Sequence, residues 1–130
     1  MSTSSALKAI HSDRLPPPVG PFSPAIRSGD FLFFSGQVGI DPSTAKLAVG
    51  GIEAETHQLF RNLAILLDAA DSSLADVVKA NVFLTRIEDF AAVNAIYAEH
   101  FQPPFPARTT VAVAALPLGA AIEIELIVRA

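Results

Sequence analysis

Between Phe101 and Ile122 the chain carries one charged side chain, Arg108, set just after "PPFP" and at the mouth of an apolar run. A guanidinium is planar and permanently charged, and its forked donors match a carboxylate or a phosphate through two parallel hydrogen bonds. Two readings follow from the residues: an anion clamp, or a structural ion pair at a subunit contact. Further along, Glu123 and Glu125 in "IEIELIV" stand two apart, so a strand would aim both at one face. Acids paired on one strand face are as often merely solvent-exposed as functional.

Other chemistries find little support. With no cysteine, the chain has no thiol nucleophile, thiolate metal site or disulfide, which fits a reducing compartment. His11, His57 and His100 share no ligand spacing, and Glu53 and His57, one helical turn apart, read as a solvated helix face. His100, near the end of a predicted helix, is expected at the surface facing the helix dipole. No metal site is therefore expected. No phosphate-binding loop, dinucleotide fingerprint, zinc-protease motif or nucleophile elbow occurs. Nine Lys and Arg against thirteen Asp and Glu give a net charge of −4 with no basic cluster, which argues against nucleic acid as a partner. No leader is expected from "MSTSSALKAIHSDRLPP", and no apolar run reaches the ~18 residues of a membrane span. A cytoplasmic location is the expectation.

The elements that must hold these residues follow from periodicity. A single domain is expected over residues 1–130, with residues 1–5 disordered. A short strand over Leu7–His11 precedes Arg14–Pro24, whose five prolines keep it extended. Ser28-Gly29-Asp30 predicts a turn into a buried strand at Phe31–Ser35, and "DPSTAKLAVGG" a polar loop. Apolar residues at 52, 59, 60, 63, 66, 67 and 70 trace a helical stripe, with Glu53, Glu55, His57 and Arg61 mostly on other faces. A strand over Val77–Thr85 follows. Asp89 is predicted as the N-cap of a second helix bearing Phe90, Val93, Tyr97 and Phe101, stopped by Pro103 and Pro104.

The last two strands alternate: Thr109, Val111, Val113 and Ala115 on one face, then Ile122, Ile124, Leu126 and Val128. The order β-β-α-β-α-β-β predicts an α+β fold, a mixed sheet with both helices packed on one face. Its other face is expected to carry Arg108, Thr110, Ala112 and Ala114 together with Glu123, Glu125 and Ile127. Charged residues make up only 17% of the chain, so another copy of the protein is expected to cover that face. A hairpin turning near Leu118 would leave Arg108 roughly 17 Å along the strand from the partner of Glu123. The two can then share a small ligand only if the strands pair differently or the residues meet across a subunit boundary.

The segments "VGPFSPAI", "FFSGQVGIDP", "VVKANVFLTRIEDFAAVNAIYAEHF", "PPFPARTTVAVAALP" and "IEIELIV", in this order and spacing, resemble the Rid family of reactive intermediate deaminases, also labelled endoribonuclease L-PSP. The resemblance spans Ala6 to Arg129. It implies a homotrimer of chorismate-mutase-like subunits with three inter-subunit clefts, hydrolysing 2-imino or enamine acids to 2-keto acids and ammonia without metal or cofactor. It also implies that Arg108 binds the substrate carboxylate, that Glu123 holds the attacking water, and that Gly36 and the backbone at Thr110 complete the pocket. Two positions depart from the usual pattern: Phe22 stands where Tyr is common, and Thr110 where Cys is frequent. Other readings are an RNA-cleaving or translation-inhibiting protein, as the older label suggests, and a ligand-binding trimer without catalysis.

Overall fold

The structure is a computed structural model that describes residues 6–130. The expected disorder of residues 1–5 lies outside the described residues. Ten strands and helices follow in the order β1 (Lys8–Ile10), β2 (Ala25–Ser28), β3 (Phe31–Val38), β4 (Ile40–Asp41), β5 (Lys46–Leu47), α1 (Gly51–Ala69), β6 (Val77–Leu84), α2 (Phe90–His100), β7 (Ala107–Ala112) and β8 (Ile122–Arg129). Six strands form one sheet in the order β1-β2-β3-β8-β6-β7, in which only β6 and β7 run parallel. The fold is α+β, as expected, with both helices on one face of the sheet.

Strand β8 is central because it alternates without a break. Ile122, Ile124, Leu126 and Val128 are all buried under the helices, while Glu123, Glu125 and Ile127 face the other way, only partly covered. The strand pairs with β3 on one side and β6 on the other, so the core side chains of three strands meet in one layer. Helix α1 closes that layer with Leu59, Phe60, Leu63, Leu66 and Leu67, and α2 adds Val93, Ile96 and Tyr97. The β2–β3 turn forms as predicted, with Gly29 at φ 60°, a conformation that costs a glycine nothing.

Three local expectations change. The polar loop after Ile40 folds into the small β4–β5 hairpin, because the Asp41 carboxylate accepts hydrogen bonds from the Ser43 N–H (2.9 Å) and hydroxyl (2.7 Å) and so sets a side-chain-stabilised turn. Asp89 precedes α2 but makes no capping bond: a single 3₁₀ turn over Ile87–Asp89 runs straight into the helix and leaves Asp89 in helical geometry. His100 is not a surface cation. Its ring stacks on Phe60 at 4.2 Å with planes 5° apart, its Nε2 is enclosed without a partner, and burial lowers its pKa despite the opposing pull of Glu99.

Helix α1 also buries polar residues that the apolar stripe does not reveal. Glu55, Thr56, Gln58 and Asn62 are all enclosed. The Glu55 carboxylate accepts the Ala121 N–H at 2.8 Å, just ahead of β8, and the Asn62 amide donates to the Ile40 carbonyl at 2.7 Å. Gln58 donates to the Asn62 oxygen at 2.9 Å, which fixes the amide that makes the second contact. These bonds pin the helix to the irregular chain between β3 and β4, and they satisfy backbone groups that no ladder reaches.

The helix can come this close because position 39 is a glycine, where a Cβ would collide with the backbone of Glu55. Backbone has nowhere to retreat. Gly39→Ala is therefore expected to lower stability by about 1–3 kcal/mol, measured as a fall in the denaturation midpoint. An unchanged midpoint would show that α1 is not held by this contact.

Candidate functional site

Strand β3 carries an extra residue opposite β8 between Phe34 and Gln37, and Gly36 lies in this bulge. Beyond the bulge Val38 pairs with Glu123, so Gly36 faces the Glu123 side chain on the diagonal. A Cβ at position 36 would stand 2.5 Å from Glu123 Oε2. Any side chain there would have to displace the carboxylate, which occupies the space beside the glycine.

Gly36 also lines a cleft of about 490 Å³, together with Phe22, Pro24, Val38 and the proline-rich segment after β1. Of the five residues predicted for the site, three are thus assembled in one place: Phe22 and Gly36 on the cleft wall, and Glu123 against Gly36. Burial raises the Glu123 pKa above the usual carboxylate range, and the neighbouring Glu125 charge raises it further. Glu125 is engaged elsewhere, accepting the Asn81 amide at 3.0 Å.

Arg108 and Thr110 are not in that place. The expected face assignment for β7 is reversed, because β7 pairs in parallel with β6 and not as a hairpin with β8. Arg108 is registered with Ala80 and Thr110 with Val82, both buried on the helix face, while Glu123 is registered with Phe83 on the other face. Side chains that share a register position share a face, so Arg108 and Glu123 lie on opposite faces of one sheet. They are also separated by strand β6, about 10 Å across, and by three positions, about 10 Å along the strands. Ala112 moves with Arg108 to the helix face. The open face is instead furnished by Phe33, Phe83, Val111 and Ile127, alongside Lys79, Asn81 and the two glutamates.

Helix α2 supplies the surroundings of Arg108. Nη2 donates to Asn94 Oδ1 at 2.7 Å, and the guanidinium carbon stands 4.7 Å from the Tyr97 ring centroid and 5.4 Å from that of Phe90. Asn94, Tyr97 and Phe90 are one turn or two apart on the helix, which is why one face of α2 can frame one cation. Among the described residues no carboxylate pairs with Arg108, so the structural ion pair is not made within the chain. Two hydroxyls on this side, Tyr97 OH and Thr110 Oγ1, are buried without partners. Burial raises the Tyr97 pKa, with the Arg108 charge pulling it back.

Sequence reasoning missed Asn94 and Phe90 as companions of Arg108. The signal was present in "FAAVNAIY", where Phe90, Asn94 and Tyr97 follow helical spacing, but only the parallel β6–β7 pairing turns Arg108 toward that face. The chemical inventory is then a cation held by neutral groups on one side, and an uncompensated carboxylate beside a cleft on the other. Among the described residues no cluster of His, Cys, Asp and Glu is arranged to hold a metal ion. No helix among them is long and apolar enough to cross a membrane.

Residues 12–130 match the endoribonuclease L-PSP family. The chain is 44% identical over 120 residues to a RutC family protein of Pyrococcus horikoshii, covering 92% of this chain and 95% of that one. It is 41% identical over 121 residues to the 2-iminobutanoate/2-iminopropanoate deaminase of Dermatophagoides farinae, covering 93% and 94% of the two. The crystal structure of RidA from an Antarctic Psychrobacter superposes with a TM-score of 0.90 at 42% identity, covering 95% of this chain and 99% of that one.

Because folding raises the Glu123 pKa, the folded protein holds a proton that the unfolded chain has already lost over the interval between the two values. Stability must then fall as pH rises through that interval. Glu123→Gln, which cannot ionise, is expected to be more stable than the parent at neutral pH, with the advantage shrinking as the solution is acidified below the ordinary carboxylate range. Denaturation midpoints of the two proteins across pH test this. A constant difference would mean that the charge is not the destabilising element.

Proposed function

The chain belongs to the endoribonuclease L-PSP family, the Rid proteins, and we propose that it hydrolyses 2-imino acids and their enamine tautomers to 2-keto acids and ammonia. Two relatives of about the same identity over nearly the whole chain, both named 2-iminobutanoate/2-iminopropanoate deaminase, support an enzyme role. The observation that carries the reading is the separation of Arg108 and Glu123 onto opposite faces of one sheet. A small substrate that needs both must lie between two copies of the protein, one offering the Glu123 face and the other the α2–β7 edge with Arg108. A homotrimer with three such clefts meets this requirement by closed symmetry, and the apolar open face around Phe33, Phe83 and Ile127 gives the copies a surface to bury.

In this cleft the substrate carboxylate pairs with the Arg108 guanidinium, whose stacking between Phe90 and Tyr97 leaves donors free for a two-pronged contact. The backbone at Gly36 and at Thr110 borders the bound molecule. A water held by Glu123 adds its oxygen to C2 as the C=N π electrons move to nitrogen. Glu123 takes the water proton and returns it to that nitrogen, so a carbinolamine forms. The hydroxyl proton is then relayed to the amino nitrogen as the C2–N bond breaks and C2=O forms, so nitrogen leaves as ammonia. A carboxyl whose pKa is raised is a stronger base than an ordinary carboxylate, which suits it to taking the water proton before handing it on. The imine carbon is already electrophilic, so orientation and one proton relay suffice. An RNA-directed activity, the reading behind the older label, is disfavoured by a sequence of net charge −4 without a basic cluster.

Imines generated in place by an amino-acid oxidase, with ammonia release followed against the uncatalysed rate, test the reaction. Arg108→Lys keeps the charge but not the fork, and is expected to lose most of the activity with the fold intact. Parental turnover by this variant would remove Arg108 from the reaction. Light scattering is expected to give three times the 13.7 kDa chain mass. Mixing Arg108→Ala with Glu123→Ala subunits, each inactive, is expected to restore roughly a quarter of parental activity after exchange, because one cleft in four then draws both intact residues from two different chains. No recovery after verified exchange would put both residues of each site on one chain.

A further inference from the structure

The cleft beside Gly36 is larger and more apolar than a three- or four-carbon imino acid needs. Its volume of about 490 Å³ lies in the range of pockets that enclose a small organic ligand, and a substrate ending in a methyl or ethyl group would leave most of it unfilled. Leu15, Pro17, Val19, Phe22, Pro24 and Leu118 form much of its wall. The polar groups there are partly committed already: the Asn62 amide donates to the Ile40 carbonyl, and Ser12 Oγ accepts the Arg14 N–H. Phe22 offers a ring with no hydroxyl.

Leu118 adds an independent observation. It sits between Pro117 and Gly119 at φ 62°, where a leucine pays for its Cβ and a glycine would not, and its side chain is 63% exposed although it lines the cleft. Neither core packing nor backbone comfort explains a leucine at this position. Contact with a ligand does, and strained backbone held beside a cavity is a usual mark of such a role. The cleft is also continuous with the reacting group, since Gly36 belongs to its wall and touches the Glu123 carboxylate.

We propose that this cleft receives the side chain of the imino acid, and that the preferred substrates are 2-imino acids with bulky apolar side chains, of the kind derived from branched-chain or aromatic amino acids. The inference rests on the deaminase reading above and specifies its substrate class. Phe22 and Leu118 on the cleft wall are then the specificity-determining contacts, while Arg108 and Glu123 treat every 2-imino acid alike. Filling the cleft with apolar atoms replaces water along its wall and makes dispersion contacts that a methyl group cannot reach.

The experiment compares kcat/KM for the leucine-derived and alanine-derived imines, each generated in place, in the parent and in Leu118→Gly. Glycine relaxes the backbone at φ 62°, so the variant is expected to fold at least as well as the parent. The parent is expected to favour the leucine-derived imine by about tenfold or more, and Leu118→Gly to reduce that ratio by about tenfold. A parental ratio at or below one overturns the assignment of substrate class and leaves the deaminase reading standing. An unchanged ratio in Leu118→Gly overturns the role of Leu118. Absence of turnover with both imines would defeat the deaminase reading itself, and this inference with it.

Discussion

The period-two pleat of the sheet, applied around strand β6, is the constraint on which the candidate site depends. Strand β8 must bury Ile122, Ile124, Leu126 and Val128, so Glu123 is forced outward. Strand β7 joins on the far side of β6 in parallel, and its register with Ala80 and Val82 turns Arg108 inward to α2. Neither residue can change face without moving every neighbour on its strand to the wrong side. Their separation is therefore as firm as the core itself.

That separation also governs the electrostatics. Arg108 is held by an amide oxygen and two aromatic rings, partners that orient a cation without neutralising it. Burial, and after it the Glu125 carboxylate two residues away, makes the Glu123 charge costly, and among the described residues no cation pairs with it. Pairing the two within one chain would have relieved both and left nothing for a ligand. Keeping them apart leaves one group ready for an anion and the other ready for a proton, at the expense of some stability.

Helix α1 provides the rigidity on the cleft side. Its buried polar residues tie the β3–β4 chain through Asn62 and the approach to β8 through Glu55, so the bulge at Gly36 and the start of the strand bearing Glu123 are anchored to the same helix. Gly39 allows the close approach, and Gly36 gives the carboxylate its room. These two glycines, three positions apart, thus have different tasks: one admits a backbone and the other a side chain.

By itself the sequence determined the elements and several of the residues that matter. The alternation of β8, the stripe of α1, the Ser28-Gly29-Asp30 turn and the isolation of Arg108 all depend on neighbours close in the chain, where a period of two or of 3.6 can be read directly. Gly36, Phe22 and Glu123 were singled out through the motif segments that contain them, and the fold brings these three near one another. Tertiary structure alone decided which face of β7 is inward, because an edge strand with apolar or small residues at every position except Arg108, "ARTTVAVAA", satisfies either parity until its partner is known. The same holds for His100, whose burial follows from the ring of Phe60 forty residues earlier, and for Glu55 and Asn62, whose partners are backbone groups on other elements. Local patterning fixes what a residue can do, but long-range strand order fixes where its chemistry points, and no short-range period carries that information.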